Sequence, residues 1–125
     1  MKIYTGTDII EISRIKKSID CLGELFKNKI YTFNEIEYCE SKKNAKYQHY
    51  AARFAAKEAI YKAISNVLEN KFDSDWQDVE IINDEKGKPN IRFINTKLEE
   101  KIKDIDISIS HCREYAVASV IVIVK

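Results

Sequence analysis

The sequence predicts a single α+β domain in which an antiparallel sheet packs on a long central helix. Residues 48–68 give the longest helical pattern and are rich in Ala, with Lys and Glu among them. Residues 105–110 alternate strictly between Ile and polar side chains, which is typical of a half-buried strand. The β-branched run at residues 115–124 follows a short turn, so these two strands should pair in antiparallel fashion. Helices combined with antiparallel strands define the α+β class.

The segment before the central helix predicts one strand and two helices. Residues 3–10 contain β-branched and aromatic side chains and predict a strand. A helical pattern then covers residues 13–23. Thr32 and Glu35 have the spacing of a capping box, so a second short helix should start there and run through Cys39.

The central helix has two different faces. At 100° per residue, the apolar stripe consists of Ala52, Ala56, Ile60, Ala63, Ile64 and Val67. The opposite face mixes aromatic and charged residues, namely Phe54, Glu58, Tyr61, Lys62 and Ser65. Such a face suits an interface or a cleft.

The segment after the central helix predicts a hairpin and a short helix. Residues 79–83 and 91–94 have strand patterns, and the turn-rich residues 84–89 connect them. Residues 96–103 then give a short amphipathic pattern. The chain contains no repeat, low-complexity tract or linker that would divide it.

Length and composition indicate one domain covering residues 1–125. The chain is 45% hydrophobic and 33% charged, with three Gly and one Pro. A chain of this length buries enough surface to build a core without disulfides or a structural metal. Phosphate-loop, dinucleotide-binding and zinc-protease motifs are absent from the sequence.

Charge and hydropathy set the expected surroundings of the protein. The formal net charge is +1, from 21 basic and 20 acidic residues, which argues against nonspecific binding to nucleic acid or to a membrane surface. The longest apolar run, residues 115–124, is shorter than the ~20 residues of a membrane-spanning helix. No secretory signal pattern is present, so we expect a cytoplasmic protein. The odd number and wide spacing of the cysteines predict reduced thiols at Cys21, Cys39 and Cys112.

Asp8 is an acid inside an otherwise apolar strand. A buried carboxylate is costly unless a positive group neutralises it. The simpler interpretation is an exposed strand end. The functional interpretation is a ligand for a hard metal ion beside Gly6, whose missing side chain would let a ligand approach the backbone.

Glu58 and Lys62 stand at positions i and i+4 of the central helix. The simpler interpretation is a surface ion pair worth about 0.3 kcal/mol. Aromatic residues share this face, however, and an exposed ion pair needs no aromatic neighbours. Asp8 and Glu58 would supply the one or two carboxylates that Mg²⁺ usually takes, with Lys62 as a mobile positive charge for phosphate. These residue types suit a metal-assisted phosphoryl-type transfer.

Two further groups have both a structural and a functional interpretation. His111 ends a strand whose polar face carries Ser110, and with Arg53 these residues would make an anion site. A single His at a strand end is more often structural. On the first helix, Arg14 and Lys17 belong to a basic group that either forms a solvated face or attracts an acidic partner protein.

Four segments carry patterns that occur together in one protein family. They are residues 6–15 with a Gly-x-Asp motif, residues 53–63 with Phe-x-x-Lys-Glu-Ala-x-x-Lys-Ala, residues 83–89, and residues 108–111. In this order, and over nearly the whole chain, they resemble the holo-acyl-carrier-protein synthases. These proteins are the short bacterial 4′-phosphopantetheinyl transferases.

The resemblance implies the 4′-phosphopantetheinyl transferase fold and its reaction. Phosphopantetheine passes from coenzyme A to a serine of apo acyl carrier protein, adenosine 3′,5′-bisphosphate is released, and the product serves fatty acid biosynthesis. The implied catalytic residues are Asp8, Glu58 and Lys62. Asp8 and Glu58 bind Mg²⁺ with the pyrophosphate of coenzyme A, and Lys62 stabilises charge on the transferring group. The acceptor of the serine proton stays open between a metal-bound water and a carrier-protein carboxylate.

The resemblance also implies the remaining contacts. The residues expected to bind coenzyme A are Arg53, Lys62, Lys88, Pro89, Ser110 and His111. Arg14 and Lys17 are expected to meet the acidic surface of the carrier protein. A homotrimer with its sites at the subunit interfaces is the implied assembly. The competing hypotheses are a small Mg²⁺-dependent nucleotide hydrolase, which would use the same acids and lysine, and a carrier-protein binding module without catalysis.

Overall fold

The computed structural model describes residues 2–68 and 75–125. The strands are β1 (Lys2–Glu11), β2 (Val79–Asn83), β3 (Pro89–Phe93), β4 (Ile102–His111) and β5 (Tyr115–Val124). The α-helices are α1 (Ile12–Leu22), α2 (Glu24–Ile30), α3 (Phe33–Glu40), α4 (Lys46–Ile64) and α5 (Thr96–Lys101). Short 3-10 turns lie at Lys43–Ala45 and Trp76–Asp78. The α+β prediction is confirmed.

Two antiparallel sheets organise the fold. β5 lies between β1 and β4 in a three-stranded sheet, and β2 and β3 form a separate hairpin. In the main sheet Gly6 pairs with Val120, which also pairs with Ile107 of β4. The predicted strands and the predicted hairpin are therefore confirmed, with a tight turn at Gly87 between β2 and β3 (φ +83°).

Helix α4 packs against one face of the main sheet. Gly6 makes the closest approach, because a Cβ added there would lie 1.9 Å from the backbone oxygen of Ala59. The sheet contributes Ala118, Val120 and Val122 to this core, and each is at most 1% exposed. Gly6 therefore serves contact between strand and helix, and the expectation that it opens space for a ligand is wrong.

A second apolar cluster packs around the first half of α4. Its buried members come from α1, α2, Tyr31, α3, the first half of α4 and Ala116 of β5, and include Ile15, Ile19, Phe26, Cys39 and Tyr50. The central helix is consequently buried over more than the predicted stripe. Arg53 and Lys57 are each only 3% exposed, although their residue types predict solvent contact.

The other face of the main sheet is exposed in the single chain, and none of the helices in residues 2–68 and 75–125 covers it. We call it the outer sheet face, and it consists of Ile3, Thr5, Thr7, Ile9, Asp106, Ser108, Ser110, Ser119 and Ile121. Ile3, Ile9 and Ile121 are 60%, 63% and 51% exposed. Large apolar side chains at this exposure on neighbouring strands are typical of a surface that meets another protein.

The element boundaries differ from the predictions in a few places. Helix α2 was not predicted, because Gly23 and the short length of the segment conceal its pattern. Helix α4 starts at Lys46 and ends at Ile64, earlier at both ends than the pattern indicated. The capping box of α3 is present, with Thr32 and Glu35 bonded reciprocally. No helix within residues 2–68 or 75–125 is long and apolar enough to cross a membrane.

Candidate functional site

Asp8 and Lys62 form an ion pair where β1 meets the second half of α4. Lys62 Nζ lies 3.1 Å from Asp8 Oδ1 and donates a further hydrogen bond to the backbone oxygen of Thr7 at 3.0 Å. The Asp8 side chain is 16% exposed and that of Lys62 is 51% exposed. The interpretation of Asp8 as an exposed strand end is therefore wrong, because the acid is shielded and a lysine neutralises it.

Glu58 lies one helical turn before Lys62 and is half-buried. Burial raises the pKa of its carboxyl group, and the negative charge of Asp8 raises it further, while Lys62 acts in the opposite direction. The two acids are thus close enough to repel each other. Lys62 donates its hydrogen bonds to Thr7 and Asp8 of β1. The structure therefore pairs Lys62 with the strand, whereas the i, i+4 spacing predicted a pair with Glu58 on the helix.

The contact between Gly6 and Ala59 brings the acids together. Ala59 follows Glu58 directly on α4, and Gly6 lies two residues before Asp8 on the same face of β1. Because no side chain separates the strand from the helix at Gly6, the next inward residue of β1 reaches the helix face that carries Glu58 and Lys62. This local packing explains the spacing of the Gly-x-Asp motif.

The two acids suit a hard divalent cation that keeps most of its positions for other ligands. Within the two described stretches of the chain, no group of three or more His, Cys, Asp or Glu side chains is placed to hold a metal ion. Mg²⁺ is usually bound by one or two carboxylates, with water and substrate phosphates completing its octahedron. Asp8 and Glu58 fit that requirement.

A cavity of about 420 Å³ opens beside Glu58. Its apolar wall comes from the second half of α4 and from the segments opposite it, and includes Ile60, Ile64, Trp76, Val79 and Leu98. Tyr61 and Lys29 also line it. One acid of the pair, Glu58, therefore lines a cavity whose wall is apolar over much of its surface.

Arg53 is inside the protein and is bonded to other residues. Its Nη2 donates to Asn83 Oδ1 at 2.7 Å and approaches the backbone oxygen of Ile81 at 3.5 Å. The guanidinium stacks on the Tyr38 ring, with Cζ 4.1 Å from the ring centroid. Its Nε atom is buried without a hydrogen-bond partner. The direct contact of Arg53 with phosphate stays a prediction, and the observed bonds orient Asn83.

His111 lies beside a second histidine that the sequence did not single out. The ring centroids of His49 and His111 are 5.8 Å apart, and Tyr38 contacts His49 at 5.5 Å. Burial lowers the pKa of His49 to about 4, and the nearby charge of Arg53 acts in the same direction. Lys42 Nζ lies 4.6 Å above the Tyr38 ring, so an exposed cation borders this cluster. The structure thus gathers aromatic rings and positive charge beside His111.

The other residues predicted to bind coenzyme A lie around the β2–β3 turn and at the end of β4. Lys88 is exposed and its Nζ lies 3.9 Å from Asp106 Oδ1. Pro89 begins β3 opposite Asn83. Ser110 pairs with Val117 on the outer sheet face, whereas the next residue of the strand alternates to the inner face. Ser110 and His111 therefore lie on opposite faces of the sheet, and their contact with coenzyme A stays a prediction.

The predicted carrier-binding residues are exposed on α1. Arg14 and Lys17 are both accessible to solvent. Lys16, between them, pairs with Asp20 at 2.8 Å, and its Nζ lies 5.1 Å above the Tyr47 ring. Two of the three basic side chains therefore point outward as a positively charged surface.

Lys57 is the main residue of this region that sequence reasoning missed. Its Nζ lies 2.7 Å from Glu35 Oε1 and donates to the backbone oxygens of Ile30, Trp76 and Val79 at 2.9, 2.9 and 3.1 Å. These partners belong to four different segments. Lys57 therefore fixes the position of α4, one residue before Glu58. The sequence feature that could have indicated this buried role is a lysine that directly follows Ala55 and Ala56.

A half-buried acid, a shielded acid and a half-exposed lysine, held together where a sheet meets the central helix of an α+β protein, are residue types that suit the binding of phosphate with a divalent cation. Its family follows from comparison with known proteins.

The chain matches the family model of the 4′-phosphopantetheinyl transferase superfamily over residues 4–120. It is 46% identical over 127 residues to the holo-acyl-carrier-protein synthase of Ruminiclostridium cellulolyticum. The matched region covers 98% of this chain and 92% of that protein. The Helicobacter pylori synthase crystallised with coenzyme A has a TM-score of 0.81 and 31% identity, covering 94% and 98% of the two chains. The Bacillus anthracis synthase in complex with coenzyme A (3′,5′-ADP) has a TM-score of 0.78 and 34% identity, covering 95% and 94%. The chain belongs to the 4′-phosphopantetheinyl transferase superfamily.

Proposed function

We propose that the chain transfers 4′-phosphopantetheine from coenzyme A to a serine of apo acyl carrier protein and releases adenosine 3′,5′-bisphosphate. The observation that carries the proposal is the meeting of Asp8, Glu58 and Lys62, which come from two distant segments. This is the activity for which the similar proteins are named. A supply of holo carrier protein would support fatty acid biosynthesis, and the proposed location is the cytoplasm.

Asp8 and Glu58 would hold Mg²⁺ together with the pyrophosphate of coenzyme A. The ion, when bound, neutralises charge on the phosphate oxygens and lowers the barrier to attack by a neutral hydroxyl. Lys62 contributes a positive charge from the same helix face and stabilises the charge that develops on the transferring phosphoryl group. The half-buried position of the acids limits the water that competes for these interactions.

The nucleotide end of coenzyme A would lie toward the start of α4. His111 and the exposed Lys88 would meet nucleotide phosphates, and Pro89 would offer an apolar surface for the adenine. Arg53 would act on this end through Asn83, whose side chain also donates to the backbone oxygen of Gly87 at 2.9 Å. The pantetheine arm would then extend toward the cavity beside Glu58.

The proposed assembly is a homotrimer built on the outer sheet face. The exposed isoleucines of that face need a covering surface, and a second copy of the chain supplies one. Ser110 lies on this face, so a neighbouring copy that covers the outer sheet face would meet Ser110 beside the ligand. Light scattering on the purified protein measures the assembly, and three chains per particle are expected.

The carrier protein would dock on α1. Arg14 and Lys17 form an exposed basic surface on the helix that directly follows β1. A basic surface of this kind attracts an acidic partner and mainly accelerates its association.

The test is the mass of an apo carrier protein after incubation with coenzyme A, with and without Mg²⁺. A gain of one phosphopantetheine, dependent on Mg²⁺, is expected. Asp8→Asn and Glu58→Gln should each lower the transfer rate at least about 10²-fold, because each removes a carboxylate charge that would hold the cation against the phosphates. Glu99→Gln, an exposed acid on α5, serves as the matched control and should transfer at the normal rate.

Two outcomes would contradict the proposal. Release of adenosine bisphosphate without a mass gain on the carrier indicates a hydrolase. Binding of the carrier without any turnover indicates a binding module, and in that case Glu58→Gln leaves binding intact. Transfer at the normal rate by Asp8→Asn would contradict the metal assignment specifically.

A further inference from the structure

Lys62 occupies oxygen atoms that a metal ion at Asp8 would use. We propose that Lys62 is an exchangeable counter-cation: its ammonium holds Asp8 in the metal-free protein, and a divalent cation displaces it toward the substrate phosphate. The inference rests on the proposed metal site at Asp8 and Glu58. It adds an order of events, because the lysine becomes available to phosphate only once the cation has arrived.

The donor set around the ammonium supports this exchange. Lys62 Nζ is bonded to a carboxylate oxygen of Asp8 at 3.1 Å and to the backbone oxygen of Thr7 at 3.0 Å. Carboxylate and backbone oxygens are also the ligands of hard divalent cations. An ammonium and a divalent cation held by the same carboxylate and the same backbone oxygen repel each other at short range, so the two cations compete for Asp8.

Exposure determines which partner can move. The Asp8 side chain is 16% exposed, whereas that of Lys62 is 51% exposed. A flexible lysine that is half in solvent leaves an ion pair at little cost. The backbone of Asp8 is held by the pairing of β1 with β5, in which Asp8 lies opposite Ala118. Displacement therefore moves the lysine and leaves the carboxylate in place.

Charge favours the exchange in one direction. Glu58 and Lys62 lie one turn apart on the same helix face, so a lysine released from Asp8 stays near the acid pair. The charge of a bound dication is balanced by the two carboxylates, so the negative charge of a substrate pyrophosphate remains. That charge attracts the ammonium group released from Asp8. Linkage requires that the cation weakens the Lys62–Asp8 pair by the same factor by which the pair weakens cation binding.

The test measures Mn²⁺ affinity by electron paramagnetic resonance in the absence of coenzyme A. Lys62→Met should bind Mn²⁺ about fivefold more tightly than the natural protein, because the competing ion pair is gone. Lys29→Met is the matched control, since Lys29 lines the cavity beside Glu58 and is not the cation bonded to Asp8. It removes the same charge from the neighbourhood and should change the affinity less than about twofold. A variant that merely damages the site would bind the ion more weakly, so tighter binding reports exchange.

The possible results are separable. Equal or weaker Mn²⁺ binding by Lys62→Met, while Asp8→Asn loses affinity, overturns the exchange and leaves the metal site standing. An equal gain in Lys29→Met and Lys62→Met also overturns it, because the effect is then a general one of charge. Unchanged binding in Asp8→Asn overturns the metal site and the exchange together. Failure of the transfer assay, in contrast, tests the proposed function alone.

Discussion

Two lysine–carboxylate pairs on α4 have the same chemistry and different surroundings. Lys57 and Glu35 lie 2.7 Å apart with side chains 1% and 0% exposed. Lys62 and Asp8 lie 3.1 Å apart with side chains 51% and 16% exposed. Both lysines start from the same helix and reach a carboxylate on another element. The difference between them is access to water.

Burial holds the Lys57–Glu35 pair in place, whereas the half-exposed Lys62–Asp8 pair can exchange partners. Every oxygen around Lys57 Nζ is supplied by the protein, and burial lowers the pKa of its ammonium against the opposing charge of Glu35. Such a lysine is not available to a ligand. Lys62 has solvent on one side, so another cation or a phosphate can replace its partner. One helix thus carries a permanent structural pair and, five positions further, a pair suited to catalysis.

The largest effect expected from this difference concerns stability. Lys57→Met should lower the free energy of unfolding by about 3–5 kcal/mol, because it leaves the Glu35 carboxylate buried without a counter-charge. Lys62→Met should change it by less than about 1 kcal/mol, since its pair is half-exposed. Urea unfolding followed by circular dichroism measures both values.

A double variant shows whether the uncompensated charge is the cause. Lys57→Met combined with Glu35→Leu removes both charges and should recover part of the loss. If Lys57→Met and Lys62→Met cost the same, burial does not distinguish the two pairs and the comparison between them fails.

The sequence predicted the half-exposed pair of Lys62 and Asp8 more completely than the buried pair of Lys57 and Glu35. Asp8, Glu58 and Lys62 were identified because acids and a lysine in apolar or aromatic surroundings are unusual, and the family motif includes them. Lys57 belongs to the same motif but has no obvious chemical role. Its partners include three backbone oxygens, which carry no sequence signal, so its function in the fold is visible only in the structure.

The fold itself was predictable wherever periodicity was strong. The strands at both ends and the hairpin follow from alternation and turn chemistry, whereas α2 is too short for a clear helical pattern. The position of Arg53 was not predictable, because residue type alone favours exposure and Tyr38 and Asn83 cover it from distant segments. The pairing of His49 with His111 likewise depends on tertiary contact.

Gly6 lies where the sheet contacts the helix that carries Lys62, two residues before Asp8. Substituting it should lower stability by an amount between those expected for Lys57→Met and Lys62→Met. An alanine Cβ would lie 1.9 Å from the backbone oxygen of Ala59, so β1 must move away from α4. Gly6→Ala should cost about 1–3 kcal/mol of stability and weaken Mn²⁺ binding, because Asp8 moves with the strand. Thermal unfolding and metal titration measure the two effects.

Gly87→Ala is the control for that substitution. Gly87 has φ +83° and nothing within 4 Å of an added Cβ, so the change costs about 1 kcal/mol through backbone strain alone. Metal affinity should not change. Equal metal affinity in Gly6→Ala and the natural protein would show that the strand–helix contact does not set the position of Asp8.

The smallest effect on stability is expected from the protonation of His49. Burial disfavours the charged form of its ring, and the charged groups that act on it are all positive. Its pKa is lowered from 6.5 to about 4 by burial and by nearby positive charge. Between these values the unfolded chain binds a proton that the folded chain does not, so stability falls as the pH falls from 6.5 toward 4 and is unaffected above 6.5. Because the ring is partly exposed, we expect a loss of only about 1 kcal/mol from this group. His49→Gln should lose less stability than the natural protein over that range in urea titrations at each pH; parallel curves would show that His49 is as free to take up a proton in the folded state as in the unfolded chain.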